Sequence, residues 1–291
     1  MIARQLAALP DAQMRLRRLA RWLAETDVDE AAQVLEQAAL GAHSAVAWRQ
    51  LYLAYVHLLL HIRPRPALPG GPLPMPERHL LLSELRVAAL IGAATRLGLP
   101  FTARLLRGAF TPPQVPDGQL LDLHPLIEKL PLGTRRERAR LPDRPTLNLL
   151  MLDTTPAVVC LLADNPRITE PQAVQIASLR PTHPYALQAL LMALRWLTND
   201  KVCESITRNS SAPPWLVLAL VPLVSRRTQA AIVHHAWLDS SVRSLLAVWL
   251  GVDAGTLLGA TIPDQPQGLD VYEVDEQQLR DIDDATGGEL P

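Results

Sequence analysis

"LLADNPRITEPQAVQIASLRPTHPYALQALL", residues 161–191, sets apolar stretches between polar breaks at Asn165-Pro166, Thr169-Glu170-Pro171 and Pro181-Thr182-His183-Pro184. Proline is tolerated in the first turn of a helix and disrupts its interior. Asp, Ser, Thr and Asn side chains accept hydrogen bonds from the orphan amides of a helix start. The stretch therefore reads as a succession of short helices whose polar breaks are starts and stops. Each is about three turns long, too short to be stable alone in water. Neighbours must cover each apolar stripe.

The punctuation recurs. "LDTTPAV" (152–158), "LTNDKV" (197–202) and "LDSSV" (238–242) each run from Leu through small polar residues to Val and an apolar helix, with leading leucines 45 and 41 residues apart. Trp196 aligns with Trp237, Asn165-Pro166 with Asn209-Ser210 44 residues later, and "RPTHP" (180–184) with "SRRTQ" (225–229). Thr155-Pro156, Thr169 with Pro171, and Pro213-Pro214 are the expected helix starts. About three helices in a period of this length is the pattern of HEAT and armadillo units, which stack into α-solenoids.

Composition agrees with helix packed on helix. Hydrophobic residues make up 48% of the 291 and aromatics only 4%, so the apolar content is chiefly Leu, Ala and Val. Twenty-six prolines against 14 glycines fit many short helices. Earlier in the chain, helices are expected near 12–24, 28–40, 43–61, 78–97 and 101–108, with Leu16, Leu19 and Leu23 on one face of the first. "RPRPALPGGPLPMP" (63–76) and the region around "TPPQVPDGQ" are breaks without core-forming pattern. The expected organisation is all-α: an N-terminal helical region (1–110), a Pro-rich linker (111–130), a helical-repeat α-solenoid (131–250) and a disordered acidic tail (251–291).

"LPLGTRRERAR" (130–140), "ADNPRITEPQAVQIASLRPTHP" (163–184), "RWLTNDKV" (195–202) and "LALVPLVSRRTQAAI" (218–232) resemble a poorly characterised bacterial family of HEAT-like proteins. The N-P-x-x-T break is also similar to that of leucine-rich-repeat-variant proteins, which are stacks of short helices. The resemblance covers about 131–250 and implies an interaction role with no catalytic residues to transfer. The second copy departs from it, with Asn209-Ser210-Ser211 in place of Asn165-Pro166-Arg167.

Constellations for chemistry are sparse. His57 and His61 are four apart on an apolar helix, but position 58 is Leu, so the HExxH pattern is missing and a packed pair is the simpler reading. His234 and His235 are adjacent and face different ways. Cys160 and Cys203 sit in apolar stretches, as buried free thiols of a reducing compartment do. Ser210 and Ser211 read as capping residues. No phosphate-binding loop, dinucleotide fingerprint or nucleophile elbow occurs, and neither a metal nor a cofactor is expected. Met1–Pro10 lacks the apolar core of a secretory signal, and "LYLAYVHLLLHI" (51–62) and "PWLVLALVPLV" (214–224) are shorter than the roughly 20 residues of a membrane span. The expected location is the cytoplasm.

Charge is divided along the chain. Residues 1–250 carry 27 basic and 19 acidic groups, whereas 251–291 carry ten acidic groups and one arginine. Of the 28 basic residues only Lys129 and Lys201 are lysine. The expected function is a non-catalytic scaffold or adaptor that binds another protein. Arg135, Arg136, Arg138, Arg226 and Arg227 supply basic contacts, and Leu269, Val271, Tyr272, Val274, Leu279 and Ile282 of the tail supply apolar ones, with self-association through the tail as one form. The rival is a nucleic-acid-binding repeat protein that uses the same arginines on phosphate.

Overall fold

The computed structural model describes residues 1–62, 82–111 and 125–251, and every regular element among them is helical. The 63–76 connector, the centre of the second break and the tail beyond Gly251 lie outside the described residues. The N-terminal region consists of α1 (Ile2–Ala7), α2 (Ala12–Glu25), α3 (Val28–Gly41), α4 (Val46–Ile62), α5 (Glu84–Arg96) and α6 (Pro100–Phe110). α2, α3 and α6 match the expected ranges to within two residues. α1 is too short to show a period and was not expected.

The repeat region continues through α7 (Pro125–Glu128), α8 (Leu132–Arg138), α9 (Arg144–Leu150), α10 (Pro156–Asp164), α11 (Glu170–Ser178), α12 (Pro184–Met192) and α13 (Leu194–Leu197). It ends with α14 (Asp200–Thr207), α15 (Pro214–Leu220), α16 (Arg226–Ile232) and α17 (Ser240–Leu250). The expected starts are the observed ones: Thr155, Thr169 and Pro213 are the N-caps of α10, α11 and α15, and Thr169 forms a capping box with Gln172. Asn199 and Asp239 cap α14 and α17 through their side chains. Pro222 carries no amide hydrogen, and α15 tightens there into the 3-10 turn Val221–Leu223.

The N-terminal helices lie against the repeats. α4 packs on α1, α2 and α3 and also on α12 and α13, while α6 packs on α3, α5, α15 and α17. One contiguous core runs from Ile2 to Ala247. Its polar seams are specific: the Tyr52 hydroxyl of α4 donates to the Ala219 carbonyl of α15 at 2.9 Å, and the buried Glu36 carboxylate of α3 accepts the Thr102 amide at 2.7 Å. That carboxylate does the capping that Leu99, the N-cap of α6, has no side-chain group to do. The consequence shows in α12 and α15. Residues 185–191 and 215–224 are buried on every side, because α4 and α6 cover the face that stacking alone would leave open.

Gly108 marks a close approach between α6 and α15. A Cβ built there lies 2.5 Å from the Trp215 Cβ of α15. Helix propensity alone favours Gly108→Ala by about 0.5–1 kcal/mol. The contact reverses the sign, and we expect a net loss of about 1–3 kcal/mol in urea denaturation. The exposed Gly92 of α5, with open space at its Cβ position, serves as the control in which Ala stabilises.

Candidate interaction edge

Two buried asparagines build the edge of the repeats. Asn165 follows α10, and its Nδ2 donates to the carbonyls of Ala139 and Leu141 at 2.8 and 2.9 Å, just past the end of α8. Asn209 follows α14, and its Nδ2 donates to Ala177 and Leu179 at 2.8 and 2.9 Å, at the end of α11. Each Oδ1 then accepts the amide two residues on, from Arg167 and Ser211, at 2.9 Å in both cases. The 44-residue match in sequence is thus a match atom by atom. A helix leaves its last four carbonyls unsatisfied, and a buried end requires donors. A primary amide supplies two donors and one acceptor from a short side chain, and Asn165 and Asn209 are only 4% and 0% exposed.

Other donors finish the same task. Arg195 of α13 donates through Nε and Nη2 to the Ala163 carbonyl and through Nη2 to that of Asn165 at 2.6 Å. The Trp196 indole reaches the same Ala163 carbonyl at 2.9 Å. After α15 the donor is Gln229 of α16, 1% exposed, whose Nε2 lies 2.7 Å from the Val221 carbonyl.

The clamps gather arginines at successive helix ends. Arg140 sits between the two carbonyls held by Asn165, and Arg167 and Arg195 flank that asparagine; all three are exposed. One repeat on, exposed Arg180 follows α11, and its Nη2 donates to the carbonyl of exposed Arg208 at 2.5 Å. Arg208 in turn meets Glu204 at 2.5 Å, and Glu204 accepts the Thr228 hydroxyl at 3.0 Å. His234 and His235 close this second group. Burial, then Arg208, Arg180 and His234, hold His235 toward its neutral form. Its ring stacks on Trp237 with centroids 5.7 Å apart.

The residues expected to bind a partner are distributed differently. Arg135 is a correction: it is buried, with Nη1 on Asp153 at 2.7 Å and on the Thr155 hydroxyl at 3.1 Å, and Nε on the Leu130 carbonyl at 3.1 Å. It ties α8 to the start of α10 and is not available to a partner. Arg136 and Arg138 are half-buried on α8. Arg226 and Arg227 are exposed at the start of α16, where Arg226 donates to Gln229 at 3.1 Å. Leu269, Val271, Tyr272, Val274, Leu279 and Ile282 lie outside the described residues. Ser211 is also a correction, since its hydroxyl accepts the Thr182 amide at 3.2 Å instead of capping a helix. The arginines at the helix ends were missed, although Arg167 and Arg208 stand within two residues of the asparagines already paired by sequence.

The remaining reactive groups are held in the core. His57 donates from Nε2 to the Met192 carbonyl at 2.9 Å, and the His61 ring packs edge-on against it at 4.4 Å. Cys160 and Cys203 are buried and in no disulfide, and burial pushes the Cys203 thiol up to about 12. No helix among the described residues is long and apolar enough to cross a membrane. No protein-family model, curated protein or solved structure matches this chain.

Asn165→Ala and Asn209→Ala each leave one buried carbonyl without its donor and remove the bonds to a part-buried carbonyl and a part-buried amide, and we expect each to cost about 2–3 kcal/mol by urea denaturation. Ser210→Ala, in the same loop but exposed, is expected to change stability by less than about 0.5 kcal/mol. A second prediction concerns acid. Burial, aided by His61 and opposed by the hydrogen bond to Met192, lowers His57 to about 4 from an ordinary 6.5. The unfolded chain protonates this ring first, so its contribution is fully present above about pH 6.5 and is lost as pH falls toward 4, on the order of 3 kcal/mol at most. His57→Gln should flatten that part of a stability–pH curve, and the lowered His43, His183 and His235 should leave a residual slope of the same sign.

Proposed function

We propose that this protein is a non-catalytic scaffold or adaptor built on HEAT-like helical repeats, and that it binds another protein through the asparagine-held edge. The observation that carries this reading is the pair of arginine groups one repeat apart, around Asn165 and around Asn209, on loops whose backbones are pinned by buried side chains. A guanidinium presents a planar fork that matches a carboxylate with two parallel bonds. Two such groups at a fixed spacing suit an extended acidic segment. Because α4 and α6 cover α12 and α15, a partner would meet loop ends and not a concave helical surface.

The same arginines favour nucleic acid as a second reading, since phosphate accepts from the same fork. Glu204 beside Arg208, and Asp164 next to Asn165, oppose any anion, and they weigh more against a phosphate backbone charged at every unit than against an acidic segment whose carboxylates are interrupted by neutral residues.

The test is titration of a partner captured on the full chain, compared with Arg167→Glu and Arg208→Glu baits. Each reversal is expected to weaken binding at least about tenfold, and at most a few ions should be released per complex as salt is raised. Equal affinity of parent and variants would contradict the proposal. Tight binding of duplex or single-stranded nucleic acid, falling by about 10³ or more between 50 and 200 mM salt, would transfer the edge to the second reading.

A further inference from the structure

The edge around Asn209 has a candidate occupant in this chain. Arg180 and Arg208 converge on one spot, because the first donates to the carbonyl of the second and both act on the His235 ring. The Nε2 of that ring is shielded from solvent and has no hydrogen-bond partner among the described residues, and Trp237 provides a half-buried aromatic surface beside it. Glu204 offsets only part of this charge; it is held by Arg208 and by the Thr228 hydroxyl. The site therefore combines guanidinium forks with an aromatic plate, the chemistry that receives a carboxylate-rich segment with interleaved apolar residues.

Such a segment follows α17. Residues 252–291 carry ten acidic groups against Arg280, opposite in sign to the body. Within them "GLDVYEVDEQQLRDIDD" (268–284) sets Leu269, Val271, Tyr272, Val274, Leu279 and Ile282 among the acids. The point of departure is favourable. α17 opens at an Asp N-cap that answers Asn199 of α14 and Thr155 of α10, and the ends of those two helices lead into the clamped edge. α17 itself packs on α15 and α16, the helices that follow Arg208 and carry the chain to His235. The 17 residues between Gly251 and Leu269 span about 23 Å as a coil, using about 5–6 Å times the square root of the residue number. Packed helices lie about 8–10 Å apart, and α17 packs on α16, which ends three residues before His235, so a tether of this length is comparable with the gap to the His235 end of the edge. Tethering at that length places it at an effective concentration in the millimolar range.

We infer that the acidic segment 268–284 docks on the Arg180–Arg208–His235–Trp237 end of the edge and shields it, so that an acidic partner must displace this segment to bind. The inference rests on the reading of the edge as a receptor for acidic protein segments, and adds that its resident ligand is the chain's own.

The experiment uses the full chain with Tyr272→Cys carrying a nitroxide. Cys160 and Cys203 are buried and stay unlabelled. The expected result is strong paramagnetic broadening of the Trp237 indole and His235 ring signals at low salt. It should be lost in about 0.5 M salt, in Arg180→Glu with Arg208→Glu, and in a tail variant that neutralises Asp270, Glu273, Asp275 and Glu276, which leaves the body unaltered. Unbroadened signals in the labelled parent would overturn the inference. Broadening of unlabelled chains by labelled ones in a mixture would overturn it too, making a second copy the donor of the segment. A nitroxide-labelled peptide of residues 268–284, added in trans to unlabelled full chain, separates the two claims. If the peptide broadens Trp237 where the tethered segment does not, the edge still reads acidic segments and only self-docking fails. If neither does, both fail.

Discussion

A fold made of short helices has many helix ends, and each buried end exposes carbonyls that no turn of its own helix can satisfy. That constraint organises this protein. Asn165 and Asn209 resolve it in the same way at equivalent positions, each bridging two carbonyls at the end of a helix more than 20 residues earlier in the chain. Gln229 resolves it after α15, and Arg195 and Trp196 resolve it at the end of α10, where Asn165 itself is turned to the end of α8. Hydrophobic burial supplies most of the favourable free energy, as in any globular chain. What these donors add is specificity: a helix end shifted by one residue would present the wrong carbonyls to a rigid amide.

The same bonds create the surface. A loop pinned by a buried side chain holds its exposed residues at a fixed spacing, so the arginines beside Asn165 and Asn209 are pre-arranged without a cost in loop ordering when something binds. The N-terminal helices have the complementary effect. By packing on α12 and α15 they bury those two helices on the side away from their neighbours in the chain, with Tyr52 and Gly108 at close seams. Under the proposed adaptor reading, a partner would thereby meet the helix ends.

Much of this was legible in the sequence, and the exceptions have physical reasons. Helix starts are local: Thr155, Thr169 and Pro213 each precede a proline in the first turn, Thr169 adds a capping box, and the structure places a helix after each. The Asn165–Asn209 equivalence was visible because a repeat preserves spacing. Contacts distant in sequence left no such trace. Nothing near Tyr52 indicates that its hydroxyl bonds Ala219, and nothing near Gly108 indicates that Trp215 lies against it. Arg135 was misread for a similar reason. "RRERAR" looks like a solvated face, and its partner Asp153 sits in "LDTTP", where it resembles a cap. Only their burial together shows that one arginine of the run belongs to the core. Arg180 and Arg208 stand apart in sequence and become one group only through the clamp between their loops.

The most direct test of this account is native-state hydrogen exchange that follows both the side-chain amides of Asn165 and Asn209 and the backbone amides of α4, α12 and α15. If the clamps and the N-terminal cover hold one cooperative frame, both carboxamides should exchange only through the same global opening as those core amides, with protection on the order of the full unfolding free energy. Carboxamides that exchange freely while the core stays protected would contradict the central role of the clamps.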